Sequence, residues 1–355
     1  MKKVLYIKHA DSSFVLADQR TLEKYFSVKT FLIDQKRPGF YFLLRMLNLC
    51  WFITRNAPGT DAMIAWFGDY HSSVMAFFGK LFRIKVIIFA GGQEAICYPE
   101  LQKGVYYKKW RGRAVRYALR NASHIMPNHK SLIWHENFYY DKSGKKDGIK
   151  YYIPGIQTPM TVVPNGIETG RFYRDHSILK KPARILTVGT MSSRADFLNK
   201  GFDLFAELAR RNPDLDCVIV GIKQSFMPWI EEQYRITTIP NLKLIFYFCT
   251  DDVLLQQYNE AKVFVQASIT EGMPNTLSEA MLCECIPVGS DVNGIPDAMG
   301  GCGVIVPRRD ILDLEKAVRK ALSMDTGGTA RIHAMSAFTR EKREEQLMLL
   351  LNKII

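Results

Sequence analysis

Short apolar runs alternate with longer amphipathic stretches along the whole chain. In the first half KKVLYI, VKTFLI, DAMIAWF, KVIIFA, HIMPN and TPMTVVPNG read as strands of about four to six residues. The intervening SSVMAFFGKLF and KWRGRAVRYALRNA are long enough for helices. The second half repeats the theme with RILTVG, FDLFAELARR, DCVIVG, LKLIFYF, DVLLQQYNEA, KVFVQA, TLSEAMLCE, CIPVGS and GVIVP. Strands that alternate with helices predict parallel sheets covered on both faces, here as two α/β units in tandem. A charged stretch without a clean period, IETGRFYRDHSILKKPA at 167–183, marks the boundary. The expected division is 1–168, a linker 169–183, 184–335, and a last helix 336–355 that packs back on the first unit. Inside the first unit DKSGKKDGIK (141–150) reads as a solvated loop.

At 355 residues the chain exceeds one ordinary core, in keeping with two domains. An apolar fraction of 47% and a charged fraction of 23% are those of a globular chain. MKKVLYIKHADSSF has too short an apolar core for a secretory signal. FYFLLRMLNLCWFI, the nearest approach to a membrane span, is broken by Arg45 and Asn48. The seven cysteines include no CxxC pair, which fits a reducing cytosol better than a disulfide framework or a zinc site.

Charge changes the picture more. Residues 1–165 hold 25 Lys/Arg against 11 Asp/Glu, which leaves 23 and 24 for residues 166–355. The basicity of the chain therefore belongs to its first half. Such asymmetry points to an anionic partner, a membrane or a nucleic acid, with a merely solvated basic face as the plain alternative. RPGFYFLLRMLNLCWFITR and GVYYKKWRGRAVRYALR mix aromatics, aliphatics and cations, as does a surface resting on anionic headgroups. Core helices with cations at their rim would have the same composition.

Open α/β sheets bind ligands where strands hand over to helices. Three handovers in the second half carry candidate chemistry. After RILTVG, Arg194 and Lys200 precede a helix, and Lys200-Gly201 at a helix start suits a phosphate. After DCVIVG, Gly221 either permits close approach of a ligand or simply turns the chain. After KVFVQA comes EGMPNTLSEAM, with Glu271 at the strand end, a Gly272-Met273-Pro274 turn, Asn275 or Thr276 as helix cap, and Glu279 in the first turns. Acids there complement the helix dipole, and they also accept hydrogen bonds from sugar hydroxyls.

EGMPNTLSEAMLCECIPVGSDVNGIPD resembles the E-x7-E motif of glycosyltransferase family 4, retaining enzymes of the GT-B fold. VVPNGIETGRF resembles that family's interdomain segment, and ILTVGTMSSRADFLNKGFDLFAELA with CVIVG its first donor-domain strands and phosphate loop. AWFGDYHSSVMAFFGKLFRIKVIIFAGGQE resembles the acceptor domain. The resemblance implies two Rossmann-like parallel-sheet domains facing a central cleft, residues 1–168 on the acceptor side and 184–335 on the nucleotide-sugar side. It further implies Lys200 on the donor diphosphate, Glu279 on ribose hydroxyls and Glu271 on the transferred sugar. Gly272, Met273, Asn275, Thr276 and Leu277 would line the sugar and phosphates, with Arg194 and Gly221 nearby. The family's arginine after the first-strand glycine is Thr190 here, and Arg194 is the candidate to replace it. Many relatives carry a histidine where this chain has Ala90-Gly91-Gly92, which leaves Asp69 and His71, with Gln93 and Glu94 nearby, as acceptor-side candidates beside the catalytic Lys200 and Glu271.

The reaction expected is retaining transfer of a sugar from a nucleotide-diphosphate sugar to a polysaccharide, lipopolysaccharide or lipid-linked glycan acceptor. Neither a metal nor another cofactor is expected, since Asp214-x-Asp216 leads into a strand rather than out of one. Asp251-Asp252 is expected to cap a helix. The expected location is cytoplasmic, peripheral at the inner face of an anionic membrane. The alternatives are a non-catalytic nucleotide-sugar scaffold and a nucleic-acid-binding protein; for the latter no recognition motif appears.

Overall fold

The computed structural model describes residues 1–33, 39–246 and 250–355. Arg37-Pro38, the tail of LKLIFYF and Cys249 lie outside these residues. The chain forms two compact units. Unit 1 gathers Met1–His135, Lys146–Gly166 and Glu341–Ile355; unit 2 gathers Glu136–Lys145 and Ile167–Arg340.

In unit 1, β1 (Lys3–Lys8), β2 (Ser27–Leu32), β3 (Ala62–Trp66), β4 (Lys85–Ala90) and β5 (His124–Pro127) pair in parallel in the order β2-β1-β3-β4-β5. The chain leaves β1 toward one edge and returns to its other side at β3, so the topological switch point lies between those two strands. Every residue of β3 is buried, which is why DAMIAWF reads as a continuous apolar run. Helices α1 (Ser13–Tyr25), α2 (Phe40–Asn56), α3 (Tyr70–Phe82) and α4 (Lys109–Asn121) connect the strands. Leu347 and Leu351 of the C-terminal helix Arg340–Ile354 join Val4, Tyr6, Val15 and Trp66 in one core cluster. Arg343 of that helix is buried and doubly bonded to buried Asp18, at 2.8 and 2.6 Å. It also donates to the carbonyls of Val163 and Pro164, so the guanidinium's donors are matched and its burial is tolerated.

Unit 2 repeats the plan with six parallel strands: β6 (Lys181–Val188), β7 (Asp216–Ile222), β8 (Leu242–Phe246), β9 (Ala261–Gln266), β10 (Ile286–Ser290) and β11 (Val304–Val306). Their order β8-β7-β6-β9-β10-β11 puts the switch point between β6 and β9. Helices α5 (Arg194–Asn199), α6 (Phe202–Arg211), α7 (Asp251–Glu260), α8 (Asn275–Leu282) and α9 (Ile311–Leu322) flank the sheet.

Four local expectations need correction. TPMTVVPNG forms no strand but a coil with a single bridge, Ile125 to Met160; Pro159 and Pro164 have no N–H to give a ladder. DKSGKKDGIK is not wholly a solvated loop, because its second part enters a strand, Lys145–Asp147, and buries Asp147 and Ile149. The loop before Lys200 contains α5, whose capping box is made by Ser193 and Asp196. Helix α7 is capped by Thr250, whose hydroxyl accepts from the Val253 N–H, so Asp251 and Asp252 sit in its first turn instead.

Candidate functional site

The switch point of unit 2 brings two of the sequence candidates together. Lys200 follows α5 at the end of the β6 loop, and Glu271 follows β9. Lys200 Nζ donates to Glu271 Oε2 at 2.6 Å, with the two side chains 22% and 21% exposed. Burial opposes the ammonium charge, but Glu271, with Asp196 adding, more than offsets it and raises the Lys200 pKa. Lysine 200 is therefore firmly cationic.

The backbone around this pair is held from several sides. The Ile269 N–H donates to the Asn199 carbonyl at 2.8 Å. Gly201 caps α6 with φ +71°, and a Cβ there would lie 2.3 Å from the Ala267 carbonyl oxygen, so only glycine lets the two loops approach. The Glu271 N–H donates to Asn293 Oδ1 at 3.1 Å, and Gly294 N–H donates to the Gly272 carbonyl at 3.0 Å. Two residues from the middle of the sequence complete the frame. Buried Asn137 donates to the Ile269 carbonyl at 2.8 Å, and the Tyr139 hydroxyl to the Ala267 carbonyl at 3.3 Å.

Helix α8 opens directly after the turn. Pro274 occupies the cap position, so Asn275 and Thr276 are its first helical residues and not its cap. The Thr276 hydroxyl donates to Gln266 Oε1 at 3.2 Å. Met273 and Leu277 are buried in the unit 2 core, which leaves only their backbone for a ligand. Glu279, one turn further on, accepts from the Tyr258 hydroxyl at 3.1 Å. Burial pushes the Glu279 carboxyl up to about 7, against the Tyr258 bond and the Arg171 charge, which pull it down. The Tyr258 hydroxyl is itself held protonated by burial and by the neighbouring Glu279.

Two other candidates have local explanations. Gly221 has φ +103°, and a Cβ would lie 2.2 Å from the Gly189 carbonyl oxygen, so neighbouring backbone requires the glycine. Arg194 opens α5 and lies exposed over the Trp229 ring at 5.4 Å.

In unit 1 Asp69 and His71 follow β3 at that sheet's switch point. Asp69 caps α3 and pairs with Arg111 at 3.0 and 2.6 Å. Burial alone would raise its pKa, but Arg111 holds it below the usual carboxylate value. His71 is fully buried, its Nε2 3.2 Å from the Trp66 carbonyl, and burial lowers its pKa to about 4.

The sequence offered no sign of His9, which follows β1 on the other side of the same switch point. Its ring meets Phe67 edge-on at 4.8 Å and stacks on His71 at 6.2 Å, and its buried Nδ1 has no hydrogen-bond partner among the described residues. The side chain as a whole is only half-buried. Phe67 carries φ +69°, an unusual conformation for an aromatic residue, and Gly91 leaves room for its ring. After β4, buried Glu94 accepts from Gly91 N–H at 2.8 Å and Gly92 N–H at 3.3 Å, and burial pushes its carboxyl up to about 7. A lone histidine in a polar stretch such as KHADSS gives no pattern by which to single it out.

Residues 182–324, which include all of the sheet from β6 to β11 but its first residue, Lys181, match the family model described as glycosyl transferases group 1. Unit 2 carries a group 1 glycosyltransferase domain. The resemblance read from EGMPNTLSEAM is thereby borne out. The serotype-specific mannosyltransferase WbdA of Escherichia coli is 35% identical over 76 residues, 21% of this chain and 9% of that relative. The chain thus spans under a tenth of the length of this curated relative. Sucrose-phosphate synthase from Thermosynechococcus elongatus has TM-score 0.75 and 13% identity, covering 100% of this chain and 99% of that one. Anabaena Alr3699/HepE in complex with UDP and glucose has TM-score 0.74 and 15% identity, covering 99% and 100%. These likenesses show the fold, and the expected GT-B pair of parallel-sheet units is present.

Proposed function

We propose that this glycosyltransferase chain transfers a sugar, with retention, from a nucleotide-diphosphate sugar to a polysaccharide, lipopolysaccharide or lipid-linked acceptor of the cell envelope. The observation that carries the reading is the meeting of Lys200 and Glu271 at the unit 2 switch point, with Glu279 one turn into the adjoining helix. Lys200 neutralises the leaving diphosphate, helped by the opening turn of α8 with the Leu277 N–H, as negative charge grows in the transition state. Glu279 accepts from ribose hydroxyls, while Glu271 positions the sugar and forms no covalent bond to it. Metal is not part of this reading. The UDP and glucose of HepE and the serotype-specific mannosyl transfer of WbdA agree with the substrate class, without fixing base or sugar.

The acceptor belongs to unit 1, where half-buried His9 is better placed than buried His71 to meet a hydroxyl. Unit 1 also presents an apolar and basic face. Leu43, Leu47 and Trp51 follow one another at helical spacing on α2, and all are exposed, as is Trp110 on α4. Arg55 lies over the Trp51 ring at 5.2 Å and Arg113 over the Trp110 ring at 4.9 Å. Beside them α2, α3 and α4 line a groove of about 530 Å³ that includes Val74, Phe77, Phe78 and Tyr117. Such a face suits peripheral attachment to the cytoplasmic leaflet of an anionic membrane. No helix among the described residues is long and apolar enough to cross one.

The test is release of nucleoside diphosphate from a panel of uridine, guanosine and adenosine diphosphate sugars, with Lys200→Ala and Glu279→Ala as controls. Equal release by wild type and both variants would remove the donor assignment. Co-sedimentation with vesicles of anionic against zwitterionic lipid tests the attachment; equal binding to both would remove it.

A further inference from the structure

The two residues assigned to diphosphate and to sugar are bonded to each other, at 2.6 Å. The ammonium has three N–H donors and the carboxylate a second oxygen, but a donor contact by either divides its charge between its partner and the ligand. Their backbones are fixed by the Asn199–Ile269 and Glu271–Asn293 hydrogen bonds and by the Gly201–Ala267 approach, so the change falls on side-chain torsions. Both side chains keep about a fifth of their surface exposed, which leaves room for that exchange.

We propose that Glu271 is a selectivity residue: its ion pair with Lys200 disfavours the bare nucleoside diphosphate and is relieved when a sugar is present to take the carboxylate. The argument follows from what each ligand offers. A nucleoside diphosphate draws the Lys200 ammonium to its phosphates and gives Glu271 nothing, leaving a half-buried carboxylate without its cation. A nucleotide sugar draws away the same ammonium but brings hydroxyl donors to Glu271. Asp196 is held in place by the Ser192 and Ser193 N–H groups at 2.8 and 2.7 Å, so it adds the same charge to Lys200 with either ligand. The pair thus couples two recognition events that have no covalent link in the protein. It also favours departure of the product nucleotide once the sugar has moved to its acceptor.

This inference rests on the donor reading above, and one titration separates the two. Calorimetry compares UDP, GDP and ADP with UDP-glucose, GDP-mannose and ADP-glucose on wild type, Glu271→Gln and Glu271→Ala, with melting curves to verify folding. The second substitution removes the same charge with a different shape. For the base that binds, both variants are expected to tighten the bare diphosphate about tenfold, the effect of removing a competing interaction of roughly 1.4 kcal/mol. The matching nucleotide sugar gains less or loses affinity. In a Lys200→Gln background the same substitutions are expected to have no such effect. If folded Glu271 variants bind the bare diphosphate no more tightly than wild type, the selectivity role is overturned while the donor site stands. If wild type binds none of the six ligands, the donor reading itself fails and the proposal with it.

Discussion

Both sheets are parallel and reverse strand order once, 2-1-3-4-5 in unit 1 and 3-2-1-4-5-6 in unit 2, and their switch points differ in what surrounds the charges. In unit 2 the facing residues are Lys200 and Glu271, each about one-fifth exposed. In unit 1 they are His9 on one strand end and Asp69 with His71 on the other, and there Asp69 and His71 are buried and already committed to Arg111, the α3 cap and the Trp66 carbonyl. An ion pair that reaches solvent can trade a partner for a ligand. Asp69, 7% exposed beside an Arg111 that is 28% exposed, is held more tightly, because its own charge left alone in the interior is costly. On the proposed reading, Lys200 and Glu271 serve ligand chemistry, while Asp69 and His71 shape the loops around His9.

Lys200→Ala offers the strongest way to break this contrast. Loss of a charge-assisted contact to the diphosphate is expected to lower turnover by about 10²- to 10³-fold with melting temperature little changed; steady-state kinetics and a melting curve measure both. His71→Ala is expected to do the reverse. Removing a fully buried ring should destabilise unit 1 by about 2–4 kcal/mol, visible in denaturant unfolding, while the folded fraction keeps most of its turnover. A folded His71→Ala protein with normal stability and no activity would return His71 to the catalytic list. His9→Gln sharpens the unit 1 side: acceptor KM should rise by about 3- to 10-fold while donor affinity stays constant. A change in donor affinity instead would misplace His9.

The smallest effect expected is a pH dependence common to both units. Glu94 and Glu279 are each pushed up to about 7, so the folded chain holds more protons than the unfolded chain above the ordinary value near 4.5. Their contribution to stability is therefore fully present below that value and is lost as pH rises through 7. Melting temperature should fall by a few degrees between pH 5 and pH 8, and Glu279→Gln should flatten part of that slope. Donor binding should follow the opposite trend, strengthening as Glu279 ionises and becomes the better acceptor.

The strands were legible because fully buried parallel strands leave unbroken apolar runs, as in KVIIFA and DCVIVG. TPMTVVPNG misled by the same logic, since an apolar run does not reveal whether its prolines allow a ladder. Glu271, Glu279 and Lys200 stood out because a strand, a turn and a helix start succeed one another within a few residues. Asn137 was invisible for the opposite reason: it acts on Ile269, 132 residues away, and nothing local marks it. His9 likewise takes its character from Phe67 and His71, which only folding brings beside it.

The buried Asp18–Arg343 pair has a consequence for the order in which the protein is made. Asp18 is synthesised 325 positions before its counter-charge. Until then the carboxylate, which also accepts from the Trp66 indole N–H, lacks that cation, and the places of Leu347 and Leu351 in the core are unfilled. Unit 1 therefore closes only after most of unit 2, which lies between its segments in sequence, has been made.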